Sequence, residues 1–330
     1  MKKNEFDPGN PSNRIDPLDY LKCIFIILMV IFHLVYIGDK YPYAKQIVYT
    51  FHMPAFLILS GYLTNIHKKG RLFFQSMVWI FIPYAIMETG YVAMSAILPI
   101  REKVDVISIP FILNKVFISP MGPYWYLHTL IICCTTSYVI HKITFRINKL
   151  SSFVTLGTCF WILSDWFHVL SMANAIYFMI GFIIHQCKLN FLSIFQPSVW
   201  GVFPLIVLCC YPTNLNRFTL AGIVITYLVI SLSLWIYRYL PGKIQSITHF
   251  IGKNTLTILL FSPIFTLISK IFVPIFSFDP SGLSFMCVAV TFVITGSLSI
   301  AWCLDKMRLS YWFCRKGNLL NLTSLGSLNK

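Results

Sequence analysis

The chain has 330 residues, of which 57% are hydrophobic and only 11% are charged, whereas soluble domains average about 45–50% and about 25%. This composition excludes an ordinary water-soluble domain and indicates a protein that is solvated largely by lipid. The formal net charge of +15 is interpreted as membrane topology and attraction to anionic lipid, and no nucleic-acid partner is expected.

Apolar runs follow one another along the chain, each about as long as a bilayer is thick. They predict an all-α polytopic membrane protein with about 10 transmembrane helices. The seventh run is short and contains Pro204, so whether it forms a full span is left open. The runs are 18–37, 46–65, 72–98, 122–140, 151–168, 169–186, 199–211, 219–239, 254–274 and 284–304.

Lysine and arginine residues predict the orientation of these helices. If both termini are cytoplasmic, most of the 26 Lys and Arg residues fall on the cytoplasmic side, as the positive-inside rule requires. The first residues, rich in Asn, Pro and Asp, are typical of a disordered leader. The predicted organisation is a leader at 1–17, a transmembrane domain at 18–304 and a basic cytoplasmic tail at 305–330.

The first run, LDYLKCIFIILMVIFHLVYI, contains two ionisable residues that a helix places on one face. Ten residues separate Lys22 from His33, which corresponds to about 16 Å along the helix axis. Ionisable side chains inside a membrane are costly and commonly functional. A simpler role is left open for each, Lys22 as an interfacial anchor and His33 as a hydrogen-bonded packing residue.

Three further ionisable residues are predicted in the outer third of the membrane. His52 lies in the second run, Glu88 in the third and His128 in the fourth, and short connections make these helices expected neighbours. Glu88 has the alternative role of neutralising a buried cation. His128 stands beside Trp125 and Tyr126, and its alternative role is that of an interfacial aromatic-belt residue.

Three segments resemble the acyltransferase 3 family of membrane-bound O-acyltransferases, and most closely its fucose 4-O-acetylase-like branch. They are DYLKCIFIILMVIFH, FHMPAFLILSGYL and GPYWYLHTL. Lys22 and His33 match a basic residue and a His in the family's first helix, and Asp19 matches an acidic residue just upstream. The second segment is similar to the family's phrase HMPLFFFLSGY, and the third approximates its WFL phrase.

The resemblance implies an enzyme that transfers an acyl group, usually acetyl, to a hydroxyl of a cell-surface or lipid-linked carbohydrate. The implied donor is cytoplasmic acetyl-CoA or another acyl-CoA, and no metal is expected. The implied location is the cytoplasmic (inner) membrane of a bacterium, where the chain is multi-pass. Expected partners are therefore the carbohydrate acceptor, acyl-CoA and membrane lipid, while assembly into a homo-oligomer is left open.

The residues supply a chemistry for that transfer. A neutral imidazole at His33 is suited to act as general base toward the acceptor hydroxyl, and His52 or Glu88 is suited to orient it. Donor binding is assigned to cationic and acidic residues in and just before the first segment, and substrate binding to the second and third segments. The donor residues are Lys22, Asp19 and Arg14, and the substrate residues are Ser60, Gly61, Trp125, Tyr126 and His128.

Two other functions compete with the enzyme. A transporter or flippase of a lipid-linked or small solute would use the same histidines as a proton relay, but no inverted repeat is detectable in the sequence. A catalytically silent membrane sensor would leave the cluster of ionisable residues without a role. The Lys22-to-His33 spacing, combined with the phrase from His52 to Tyr62, favours the acyltransferase.

Overall fold

A computed structural model describes residues 15–97, 107–144, 148–314 and 318–321, all of which form helices, turns or irregular segments with no strand. Arg14, assigned above to the donor, lies outside these described residues. The chain divides into two compact units. The inserted unit comprises residues 57–189, and the flanking unit comprises residues 15–56 together with the chain from 190 onward.

The flanking unit contains the first three helices, of which the third continues past Phe56 into the inserted unit, and all helices after residue 190. Short 3₁₀ turns at Pro212–Asn214 and Ser269–Phe276 complete it. Its helices are α1 Asp16–His33, α2 Val35–Lys40, α3 Pro42–Leu63, α9 Phe191–Ile194, α10 Val202–Cys209, α11 Leu220–Tyr237, α12 Gly242–Lys253, α13 Thr255–Ile268, α14 Leu283–Lys306 and α15 Ser310–Cys314.

The inserted unit contains the end of α3 and the next five helices. A 3₁₀ turn at Gly122–Tyr124 leads directly into the sixth helix of the chain. Its helices are α4 Gly70–Ile97, α5 Ile109–Phe117, α6 Trp125–Ile143, α7 Lys149–Asp165 and α8 Met172–Gln186.

Helix α1 forms the core of the flanking unit. A proline in its first turn has the fixed φ that a helix start requires, and acidic residues there complement the helix dipole. Helices α11, α12, α13 and α14 all pack against α1. The closest approach is at Gly252 of α12, where an added Cβ would lie 1.9 Å from the Asp19 carbonyl oxygen. Only a glycine permits this crossing.

Paired glycines create a close helix crossing in the inserted unit. A Cβ at Gly61, near the end of α3, would lie 2.0 Å from the carbonyl oxygen of Phe178 in α8. A Cβ at Gly181 would lie 1.9 Å from the carbonyl oxygen of Ile58. Each glycine therefore admits the backbone of the opposite helix, and no larger residue fits at either position without separating the two helices.

Four helical segments among the described residues are long and apolar enough to cross a membrane, judged by length and composition. They coincide with four of the predicted apolar runs, and the total of about ten spans stays a prediction, as does the orientation of the termini. The four segments are Gly70–Ile97, Leu220–Tyr237, Thr255–Phe276 and Leu283–Lys306.

Two of the other predicted runs take a different form. The run 18–37, predicted as one span, is two helices that separate at Leu34, whose backbone is extended with ψ 105°. The Leu34 N–H is shared between the carbonyls of Val30 and Ile31, which tightens and ends the last turn of α1. The run 199–211 contains only the 8-residue α10, which is too short to cross a hydrocarbon core of about 30 Å.

Candidate functional site

His33 is the last residue of α1, and its environment fixes which ring nitrogen holds the proton. Its Nδ1 lies 2.7 Å from the carbonyl oxygen of Met29, one turn earlier. Because a carbonyl can only accept a hydrogen bond, Nδ1 must donate, and the neutral ring therefore has its lone pair on Nε2. The C-terminal end of a helix also stabilises a positive charge. His33 thus has the geometry of a proton acceptor.

His52 on α3 repeats this arrangement in the flanking unit. Its Nδ1 donates to the carbonyl of Val48 at 2.7 Å, so its lone pair is also on Nε2. The side chain is only 3% exposed, and its Nε2 has no hydrogen-bond partner among the described residues. A buried polar atom without a partner costs about 1–3 kcal/mol, which is typical of a position retained for function.

Tyr49 lies beside both histidines. Its ring centroid is 6.2 Å from that of His33 and 5.2 Å from that of His52, and its hydroxyl donates to the Phe32 carbonyl at 3.3 Å. Lys45 Nζ is 5.5 Å from the Tyr49 ring centroid. Tyr49 thus brings the ends of α1 and α3 together around the two imidazoles.

Sequence reasoning missed Tyr49, Lys45 and also Arg217, which is within electrostatic range of His52. For two of them a signal was available. Lys45 and Tyr49 precede His52 by seven and three residues, and this spacing places all three on one helix face. Arg217 comes from a distant part of the chain, so no local pattern indicates it.

Lys22 forms an ion pair with Asp19, one turn earlier on α1. Lys22 Nζ is 3.3 Å from an Asp19 carboxylate oxygen, and the Lys22 side chain is 21% exposed while that of Asp19 is 3% exposed. The backbone of Asp19 is the point that Gly252 of α12 contacts. Two of the three predicted donor residues are therefore adjacent at the start of α1, and the third, Arg14, is outside the described residues.

Glu88 is fully buried on α4 in the inserted unit. One of its carboxylate oxygens accepts the backbone N–H of Met121 at 2.6 Å. One turn earlier on the same helix, the Tyr84 hydroxyl donates to the carbonyl of Val116 at 2.8 Å. These two side chains hold the last turn of α5 and the segment that follows it against the middle of α4.

His128 on α6 completes this set of contacts. Its Nε2 is 2.9 Å from the carbonyl oxygen of Phe117, so Nε2 donates and the neutral ring has its lone pair on Nδ1. Phe117 is the last residue of α5. Its carbonyl therefore has no partner within its own helix. His128, Tyr84 and Glu88 thus satisfy backbone groups of residues 116–121, which gives each of them an anchoring role.

The remaining predicted substrate residues lie at the junction of α3 and α6 in the inserted unit. The Ser60 hydroxyl is 2.6 Å from the Tyr126 hydroxyl, and the rings of Trp125 and Tyr126 are edge to face at 6.5 Å. The backbone of α8 packs directly against Gly61. The structure therefore places Ser60 and Tyr126 together, whereas Gly61 serves helix packing.

The predicted site residues form two sets, one in each unit. His33 and His52 are neighbours in the flanking unit, which also contains Lys22. Glu88 and His128 are in the inserted unit, so the predicted orientation of His33 by Glu88 stays a prediction. Within the described parts of the chain, no three His, Cys, Asp or Glu residues come together as a metal site would require.

Comparisons with known proteins provide one match. A family model described as an acyltransferase domain matches residues 15–302. No curated protein and no solved structure shows a significant match. The matched range contains every predicted site residue except Arg14.

Proposed function

This chain belongs to the acyltransferase 3 family, whose model covers residues 15–302, and from that premise we propose that it is an integral membrane O-acyltransferase. It transfers an acyl group, acetyl in the simplest case, from cytoplasmic acyl-CoA to a hydroxyl of a cell-surface or lipid-linked carbohydrate. The four apolar segments described above fit a membrane protein. The observation that most directly supports the proposal is the hydrogen bond of His33 Nδ1 to Met29, which leaves the lone pair of the neutral imidazole on Nε2.

The transfer step moves one proton, forms a carbon–oxygen bond and breaks a carbon–sulfur bond. His33 Nε2 removes the proton of the acceptor hydroxyl as the oxygen attacks the thioester carbonyl carbon. The carbon–sulfur bond then breaks, and the CoA thiolate leaves and takes up the proton from the imidazolium. Met29 holds the ring orientation through Nδ1, and the end of α1 stabilises the transient positive charge.

The donor is proposed to bind at the start of α1. Because α1 is continuous from Asp16 to His33, Lys22 and His33 lie about 16 Å apart along one helix. Lys22 would bind donor phosphates from the cytoplasmic side while the acyl group extends toward His33. The ion pair with Asp19 holds the ammonium in place, and Lys at this position is what supports the fucose 4-O-acetylase-like branch.

His52 is proposed as a positioning residue for the transfer. It shares Tyr49 with His33, and its buried Nε2 has no partner among the described residues. A bridging water would satisfy this atom. The proposed reaction centre is therefore formed by His33, Tyr49 and His52.

The experiment measures O-acetyl groups on surface glycans by mass spectrometry. A strain that lacks the gene is compared with the same strain complemented by the wild-type chain. We expect O-acetyl groups to disappear in the deletion strain and to return with the wild-type chain. The purified protein should also transfer label from acetyl-CoA to a glycan hydroxyl. Unchanged glycans in the deletion strain, together with no transfer in vitro, would contradict the proposed function.

A further inference from the structure

Three histidines to which no role was assigned above lie near one another in the inserted unit. The rings of His67 and His141 are edge to face, with centroids 5.6 Å apart. His185 is within electrostatic range of His67, and its ring is 5.6 Å from that of Tyr62. His67 is exposed, and the other two are half-buried. Three chain segments that are distant in sequence therefore bring their histidines to one solvent-accessible place.

Lysines follow His67 and His141 directly in the sequence, and Tyr138 connects two of the three segments. The Tyr138 hydroxyl donates to the backbone carbonyl of Lys68 at 3.1 Å, and Lys142 Nζ is 5.4 Å from the Tyr138 ring centroid. Tyr138 also stacks on Phe73 with centroids 4.0 Å apart. The cluster is thus supported by a packed aromatic pair. We call it the basic end; its members are His67, Lys68, Lys69, His141, Lys142 and His185.

The sequence segments that form the basic end contain cationic residues and no acidic residues. The segments 62–72, 137–144 and 183–190 contain no Asp or Glu. Burial, followed by the neighbouring His67 and Lys142, lowers the pKa of His141, which lies beyond the predicted run 122–140. A bound anion would oppose the effect of the Lys142 charge.

Membrane topology alone does not account for this arrangement. The positive-inside rule concerns lysine and arginine in loops and places no constraint on histidines. Three imidazoles together with Lys68, Lys69 and Lys142 provide several N–H donors and cationic charge within one small region, which matches the three acceptor oxygens and double charge of a phosphate group. We propose that the basic end is a binding site for phosphate groups.

This inference does not rest on the proposed acyl transfer, because no residue of the basic end takes part in that step. Two sources supply the same chemistry: the phosphates of a free nucleotide and the phosphate of an anionic lipid headgroup. The experiment has one arm for each source.

Binding is measured on the purified full chain in lipid nanodiscs. In the first arm the nanodiscs contain only phosphatidylcholine, and the probe is adenosine 3′,5′-bisphosphate. In the second arm no nucleotide is added, and thermal stability is compared between nanodiscs with and without phosphatidic acid. The variant carries His67→Gln, His141→Gln and His185→Gln. In the first arm we expect the triple variant to bind the nucleotide at least about tenfold more weakly, because a hydrogen bond to a charged group contributes about that factor in affinity. In the second arm we expect it to lose most of the stabilisation by phosphatidic acid.

A matched control and a second variant keep the test decisive. His168→Asn changes an exposed histidine elsewhere in the inserted unit, at a left-handed backbone with φ 51° that Asn tolerates, and should bind as the wild type does. If the triple variant does not fold, Lys68→Gln with Lys69→Gln removes two exposed cations instead. An effect in the first arm identifies a nucleotide site, and an effect in the second a lipid site. Equal behaviour of wild type and variants in both arms would overturn the proposal, whatever the outcome for acyl transfer.

Discussion

The histidines of the flanking unit and His128 of the inserted unit differ in which ring nitrogen is committed to the backbone. His33 and His52 each donate through Nδ1 to a carbonyl one turn earlier on their own helix, which leaves the Nε2 lone pair directed away from that helix. His128 donates through Nε2 to Phe117 on another helix, and its N–H completes the end of α5. The local bonds leave Nε2 of His33 and His52 available for the proposed chemistry, whereas the bond of His128 connects α6 to α5.

The same contrast applies to the carboxylates. Asp19 pairs with Lys22 on its own helix and remains next to the proposed donor path. Glu88 binds the backbone N–H of Met121, which is 33 residues later in the chain. We therefore propose a chemical role for the buried ionisable residues of the flanking unit and a chain-anchoring role for those of the inserted unit. The four predictions below test this difference.

The largest expected effect is that of His33→Gln. Gln cannot accept and release a proton near neutral pH, so acyl transfer should fall by a factor on the order of 10² or more while expression persists. His128→Gln is the matched change in the inserted unit and should cost far less, because Gln keeps an N–H donor for Phe117. The measurement is the rate of label transfer from acetyl-CoA per folded molecule. An equal loss of transfer rate in His33→Gln and His128→Gln would contradict the different roles proposed for the two histidines.

Lys22→Met should act on the donor and leave the chemical step largely intact. Loss of a charge-assisted contact to phosphate should raise the KM for acetyl-CoA roughly tenfold, with a smaller change in kcat. Lys22→Arg is the matched control and should retain most of the donor affinity, because the positive charge persists. The same KM in wild type and the Met variant would exclude Lys22 from the donor site.

His52→Gln should reduce kcat by about three- to tenfold, less than His33→Gln, since a positioning residue acts through another group. The double variant with His33→Gln should be hardly worse than His33→Gln alone, because residues that act as a unit are not additive. Single-turnover kinetics of the two single variants and the double variant would measure this. Fully multiplicative losses would show that His52 acts independently.

The smallest effect on catalysis is expected from His128→Leu, which removes the donor to Phe117. The unpaired carbonyl should lower stability by about 1–3 kcal/mol, measured as a lower melting temperature in detergent, while transfer per folded molecule falls less than in His33→Gln. A catalytic loss as large as that of His33→Gln, without a change in melting temperature, would move His128 from the anchoring set to the reaction centre.

Local patterns predicted the parts of the site that lie on one helix. The spacing of Lys22 and His33 predicted one helix face, and α1 is indeed continuous between them. The break at Leu34 had no Gly or Pro signal, since it comes from a backbone N–H shared by two carbonyls. The contact of Glu88 with Met121 depends on how α5 folds back on α4, which no periodicity in the sequence encodes.

Helix crossings were likewise beyond local prediction. Gly61 was assigned to substrate because it stands in a family phrase, and that assignment stays a prediction; the structure adds that the α8 backbone lies where its side chain would be. Gly252 carried no signal at all, although it permits α12 to approach Asp19. A single sequence does not reveal which glycine is needed for close packing, because the partner helix comes from a remote part of the chain.

The burial of α1 by α11–α14 has a consequence for biogenesis. Helices α11–α14 begin only at Leu220, whereas α3, which also contacts α1 through Phe51 and Phe25, is made soon after it. At about 5–20 residues per second, α11–α14 follow α1 by about ten seconds or more. During that interval Asp19 and Lys22 can neutralise each other on a single helix. The ion pair that we place at the donor site thus also suits a nascent α1 whose later partners are not yet synthesised.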